Sequence, residues 1–247
     1  MSTRTLVGAL LATGLTIGGA AAGADAAGMP GGAMIPTSPA AAPAADLAAP
    51  GLGAKATQGA YFRDAFNFRA PAWRGVVGRW NVRNGTLFSQ GMAGRFSSVA
   101  HINNYDEFDY EVRMNRVGNS DGSAPNCLII RGNANRVSSD LWLPGYYFCY
   151  SNNGKALVVA VDSRGQQREL MPWTPVQEIG TGGGYRTVRV EAIGPTFYFS
   201  VNGSSAMAFK DATSAFGQVG AGFYVESGKR GSLAIDYANL GPVRSKS

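Results

Sequence analysis

Beyond residue 60 the chain alternates apolar and polar side chains with a period of two. Phe108, Tyr110, Val112 and Met114 are separated by Asp109, Glu111 and Arg113, and Val188 and Val190 alternate with Arg189 and Glu191. Val219, Ala221, Phe223 and Val225 form another series; Leu233, Ile235 and Tyr237 form the last. Successive side chains of a strand point to opposite faces, so each series predicts a strand with one face turned inward. Three Asn-Gly pairs, Asn84-Gly85, Asn153-Gly154 and Asn202-Gly203, lie between such runs. Asn and Gly accept positive φ at low cost, and these pairs predict two-residue hairpin turns. No window carries a helical stripe longer than two turns. Ten to twelve strands over roughly 185 residues is the size of a two-sheet antiparallel sandwich, so residues 61–247 read as one all-β domain.

The pattern upstream is different. Met1-Ser-Thr-Arg4 precedes an apolar run over residues 6–17, followed by small residues up to Ala27. A basic start, a short apolar core and A-x-A sites at Ala20-Ala-Ala22 and Ala24-Asp-Ala26 are the parts of a secretory signal peptide, assigned to residues 1–26. Residues 27–60 are almost all Ala, Gly, Pro, Met, Leu and Ser/Thr, with Asp46 and Lys55 the only charges. Too few large apolar groups are present to offset chain entropy, so this stretch reads as a disordered linker. No run approaches the ~20 apolar residues of a spanning helix. The protein is expected to be secreted, periplasmic or cell-surface.

Composition supports the β reading. The chain has 34 glycines, 11% aromatic residues and only 15% charged residues. Net charge is +6, and Arg63, Arg69, Arg74, Arg79, Arg83 and Arg95 fall in one stretch opposed only by Asp64. For an exported protein the partners of such charge are anionic lipid or acidic polysaccharide rather than nucleic acid; the plain alternative is solvated arginines on alternate strand faces. Cys127 and Cys149 lie in consecutive strand-like runs. In an oxidising compartment a cross-strand disulfide is expected, with two buried thiols as the alternative.

Four segments resemble the concanavalin A-like lectin/glucanase superfamily, in particular its bacterial laminin G-like and 3-keto-disaccharide hydrolase-type domains. They are Asp64-Ala-Phe66 with residues 79–88, the acidic-aromatic run of residues 105–113, the Tyr-Tyr hairpin of residues 145–154, and the closing half from Tyr185 through Asn202-Gly203 and residues 216–220 to 235–240. The resemblance implies a jelly roll. It does not choose a chemistry, because this fold carries lectins, hydrolases, lyases and structural domains.

Several residues are candidates for chemistry. Glu107, Asp109 and Glu111 match an E-x-D-x-E strand, whose acids at alternate positions share one face as glycoside hydrolysis needs. An acidic outer face is also what half-burial produces by default. The hydrolase-type resemblance points instead to Glu111, Arg131 and Tyr147 on a concave sheet, with Cys127 and Cys149 standing where polar groups are expected. Trp142 and Trp173 lie in Pro-bounded segments and could stack on sugar rings, with Arg113 among the polar anchors; alternatively they plug the sandwich ends. Trp73 and Trp80 read as core. His101 is the only histidine, and there is no nucleophile elbow. No cofactor is expected, apart from a structural calcium if the fold brings Asp64 and Asp236 together. Asn84-Gly-Thr86 and Asn202-Gly-Ser204 match the glycosylation pattern but also serve as turns. Three functions therefore stand: an extracellular glycan-binding module, for which the arginines suggest acidic polysaccharide; a glycoside hydrolase or lyase; and a structural or adhesive surface protein. Oligomeric state is not legible.

Overall fold

The computed structural model describes residues 60–118 and 122–243. The expected signal peptide, and all of the linker except Ala60, lie outside these residues. The described chain is two large antiparallel sheets packed face to face.

One sheet contains β1 (Phe62–Asp64), β3 (Asn81–Arg83), β4 (Thr86–Gln90), β6 (Phe108–Val117), β13 (Tyr185–Ile193), β14 (Thr196–Val201), β15 (Ser204–Lys210) and β17 (Ser232–Gly241). Its order is β15-β14-β13-β6-β17-β4-β3, with β1 added on β17. The other contains β2 (Trp73–Val77), β5 (Arg95–Tyr105), β7 (Asn126–Gly132), β10 (Gly145–Ser151), β11 (Lys155–Val161), β12 (Gln167–Pro175) and β16 (Gly217–Val225), in the order β12-β11-β10-β7-β16-β5-β2. A small hairpin, β8 (Val137–Ser138) with β9 (Leu141–Trp142), stands apart from both. Hairpins within a sheet (β3–β4, β10–β11–β12, β13–β14–β15) alternate with crossings from one sheet to the other, as from β4 to β5 and from β12 to β13.

The alternating series meet between the sheets. Phe108, Tyr110, Val112 and Met114 face Leu128, Ile130, Tyr146 and Phe148 in one core, joined by Val188, Val190, Phe197, Phe199 and Phe223. Trp73 is buried there and Trp80 packs against it, as expected. The Asn84-Gly85 and Asn202-Gly203 turns are two-residue hairpins between β3 and β4 and between β14 and β15. The third differs. Ser151 pairs with Lys155, leaving a three-residue loop in which only Gly154 takes positive φ.

Cys127 and Cys149 are directly opposed on β7 and β10 and are joined by a disulfide. The bond closes a loop of 22 residues, worth roughly 3 kcal/mol in the chain-entropy picture.

One strand departs from its predicted facing. A β-bulge between Ile235 and Tyr237 offsets β17 by one residue. The extra residue reverses the alternation. Leu233 and Ile235 point inward as expected, Tyr237 turns outward, and Ala238 and Leu240 take up the inward positions.

Candidate functional site

The outer faces of the two sheets are chemically opposite. On the seven-stranded sheet, β7, β10 and β16 are buried at every position, so both of their faces are covered. A second core lies on that outer face: Phe96 and Ala100 from β5, Cys127 and Ile129 from β7, Tyr147 and Cys149 from β10, and Leu157, Val159 and Val161 from β11. Leu141, Trp142 and Leu143 of the strap over residues 133–144 complete it.

Trp142 is the centre of this closure. It is fully buried, its indole Nε1–H donates to Ser98 Oγ at 3.0 Å, and its backbone N–H donates to Tyr147 Oη at 2.5 Å. The ring lies where Gly132 and Gly220 leave room. A Cβ on Gly132 would come within 2.6 Å of the indole, and one on Gly220 would lie 2.6 Å from it and 2.1 Å from Val99 O. The strap is held along its length. Ala134 N–H donates to Gln218 Oε1 at 3.0 Å, Arg74 donates to Asn135 Oδ1 at 2.7 Å, and Arg95 pairs with Asp140 at the hairpin tip.

These facts correct part of the expected glycan site. Trp142 cannot stack on a sugar because it is the plug, and Tyr147 is buried beneath it. Burial pushes the Tyr147 hydroxyl far above its usual range. Arg131, 2% exposed, takes positive φ, donates to Asp106 O from Nε at 2.9 Å and stands over the Phe197 ring at 4.9 Å. Its guanidinium closes one end of the sandwich, where burial lowers its pKa. Trp173 is half-buried and leans on the second core from β12. Glu111, Arg131 and Tyr147 therefore do not share a face. Strands β5, β7, β10, β11 and β16 contain no Asp or Glu at all.

The outer face of the eight-stranded sheet carries the chemistry. Asp109, Glu111 and Arg113 project from β6; Glu191, Arg189 and Thr187 stand opposite them on β13, and Asn239 and Tyr237 on β17. Arg189 grips both carboxyl oxygens of Asp109, with Nη2 to Oδ2 at 2.8 Å, and lies 3.8 Å from Glu191. The bond to Asp109 raises the Arg189 pKa. Tyr237 Oη donates to Glu111 Oε1 at 3.0 Å, and burial raises the tyrosine's pKa. Arg113 pairs with Asp236 and stacks over the Tyr185 ring at 4.5 Å. Tyr185 and Tyr237 lie on either side of β6, about 10 Å apart across the sheet by strand spacing, and Tyr198 continues the face on β14. The result is a flat, ion-paired surface with tyrosine rings set into it.

Of the three expected acids, Asp109 and Glu111 share this face. Glu107 does not: it precedes β6, is exposed, and accepts the Gly194 N–H at 2.8 Å. With both Asp109 oxygens held by Arg189, this carboxylate acts as one half of an ion pair. Asp64, opposite Ala238 on β17, accepts the Trp73 indole N–H at 2.6 Å, and Asp236 pairs with Arg113, so each of these carboxylates has its own protein partner. Among the described residues no group of three or more His, Cys, Asp or Glu is arranged to hold a metal ion. The arginine stretch is dispersed too: Arg74 and Arg95 hold the strap, Arg83 lies over Phe88, and Arg63 is on β1. Sequence reasoning missed Tyr185, Arg189 and Tyr237 as a group. The polar half of the β13 alternation marks the first two; Tyr237 was hidden by the bulge.

No family model matches the chain, and no curated protein matches it. Solved structures do. The carbohydrate-binding module CBM66 from Bacillus subtilis superposes with a TM-score of 0.52 at 15% identity, over 67% of this chain and 94% of that one. The Bacillus licheniformis β-glucanase gives 0.54 at 10% identity, over 74% and 98%. LamAcat from Zobellia galactanivorans gives 0.54 at 11%, over 72% and 96%. At these identities the likeness concerns the path of the backbone. The two stacked antiparallel sheets and these superpositions together place the chain in the concanavalin A-like jelly-roll fold.

Proposed function

We propose that this is an exported, non-catalytic module that binds neutral polysaccharide on the outer face of the eight-stranded sheet. The observation that carries the reading is the Tyr185–Arg113–Asp236 stack beside the Tyr237–Glu111 hydrogen bond. Aromatic faces take up the apolar sides of pyranose rings, and oriented carboxylates and guanidinium groups bond to hydroxyls. Arg113 and Arg189 already have carboxylate partners on the face. A ligand there gains more by offering hydroxyls than by offering further negative charge. The disulfide and the N-terminal segment support export.

Two features weigh against catalysis. The five central strands of the other sheet lack carboxylates, and on the polar face Asp109 is neutralised by Arg189. The relatives in structure include both a carbohydrate-binding module and glucanases, so β-glucans are the first probes to try. Titration of the purified protein with neutral and uronic-acid polysaccharides is expected to give binding to a neutral class. Tyr185→Ala or Arg113→Ala should weaken that binding by about tenfold, the loss of roughly 1.4 kcal/mol that one stacking contact supplies. Binding untouched by both changes would move the site off this face. Release of reducing ends that stops in Glu111→Gln would make the protein an enzyme and sink the reading.

A further inference from the structure

The three Asn-Gly turns are chemically unequal, and we infer that Asn84 is a site of self-modification by deamidation, while Asn153 and Asn202 are protected. In this reaction the Gly85 amide nitrogen attacks the Asn84 side-chain carbonyl carbon and gives up its proton. The new C–N bond closes a succinimide and the side-chain nitrogen leaves as ammonia. Water then opens the ring at either carbonyl, leaving an aspartyl or an isoaspartyl residue. Nothing but water is consumed.

Exposure does not separate the three sites, because all three asparagines are exposed. Their hydrogen bonds do. Asn202 is held at both ends of its amide: Oδ1 accepts the Thr187 N–H at 3.0 Å, and Nδ2 donates to Glu178 O at 2.8 Å. Rotating this carbonyl toward Gly203 N breaks both bonds. Asn153 accepts from Ser151 Oγ, and its attacking nitrogen is committed as well, since Gly154 N–H donates to Ser151 O at 3.1 Å. A bridge to Thr181 and a bond from Asn153 N–H to Gly122 O, at 3.0 Å, fix that backbone.

Asn84 has none of these restraints. Among the described residues no hydrogen bond holds its side chain or the Gly85 nitrogen, and the space around Gly85, like that around Gly203, is open beyond its chain neighbours. Its turn is also the least anchored. β3 has three residues, lies at the sheet edge and pairs only with β4. The local tie that remains, Thr86 Oγ1 to Arg83 O at 2.8 Å, closes the turn without touching the amide.

The test is to hold the purified full chain at mildly alkaline pH and follow the three tryptic peptides by mass spectrometry, scoring isoaspartate enzymatically. A parallel sample is unfolded in urea with the disulfide reduced. In the native sample Asn84 should convert about tenfold faster than either other site, the factor set by breaking one or two ordinary hydrogen bonds. In the unfolded sample the three rates should converge. Asn84→Gln should abolish the signal from its peptide and leave the other two unchanged. Equal native rates, or a faster Asn153 or Asn202, would overturn the inference, as would an Asn84 peptide no more reactive in the native protein than the Gln variant.

Discussion

At the scale of single residues, His101 is the group whose surroundings bear on stability near neutral pH. It is 3% exposed, stacks on Phe62 at 4.2 Å, meets Trp73 edge-on and lies 3.1 Å from the Tyr105 hydroxyl. Burial is the main cause that lowers its pKa to about 4, and the nearby Asp64 carboxylate opposes the shift only in part. The unfolded chain takes up this proton near pH 6.5, whereas the folded protein refuses it until about pH 4. The unfolded state therefore binds more protons in this window. The stability contributed by neutral His101 is complete above the unfolded pKa and is lost as pH falls toward the folded one. Between pH 7 and pH 5 the loss should be about 2 kcal/mol. Urea midpoints of wild type and His101→Gln at both pH values test this. The variant should lose much of the pH dependence, and an equal slope in both proteins would place the titration elsewhere.

At the scale of elements, the strap decides what the seven-stranded sheet can do. Removing the Trp142 ring would leave a cavity over Gly132 and Gly220 and deprive Ser98 Oγ of its donor. Trp142→Ala should cost roughly 3 to 5 kcal/mol, as large-to-small changes in a packed core do. Gly220→Ala should also be strongly destabilising, since its Cβ meets backbone at Val99 O. Chemical denaturation measures both. A cost below about 1 kcal/mol for Trp142→Ala would mean a strap loosely seated enough to lift, and a sheet open to ligands. Elements also explain what could be read from sequence. The strands, two of the three Asn-Gly hairpins and the Cys127–Cys149 pairing were legible because alternation, turn chemistry and cysteine spacing are local signals. The seat of Trp142 was not. It depends on glycines in β7 and β16, far apart in sequence and brought together only by strand order. Tyr237 was misread for a subtler reason: a bulge is a change of register, and the composition of β17 gives no warning of it.

At the scale of the whole molecule, charge and site separate. The chain carries +6 overall, yet on the polar face Arg113 and Arg189 are paired with Asp236 and Asp109. Part of the surplus lies elsewhere, on arginines such as Arg79, exposed between β2 and β3, while Arg63 on β1, opposite Asn239, adds charge at the margin of the face. Two kinds of binding should follow, with different salt dependence. A polyanion will be attracted by the diffuse surplus, and that attraction should largely vanish as added salt shortens the Debye length from about 30 Å at 0.01 M to about 8 Å at physiological strength. A neutral polysaccharide on the tyrosine face is held by stacking and short hydrogen bonds, which salt of that strength does not screen. Titrations across this range should lose the first and keep the second, and only the second should respond to Tyr185→Ala. If the salt-resistant ligand proves to be a uronic-acid polymer instead, a carboxylate is displacing one of the face's own acids, and Asp236→Asn should then tighten its binding by freeing Arg113.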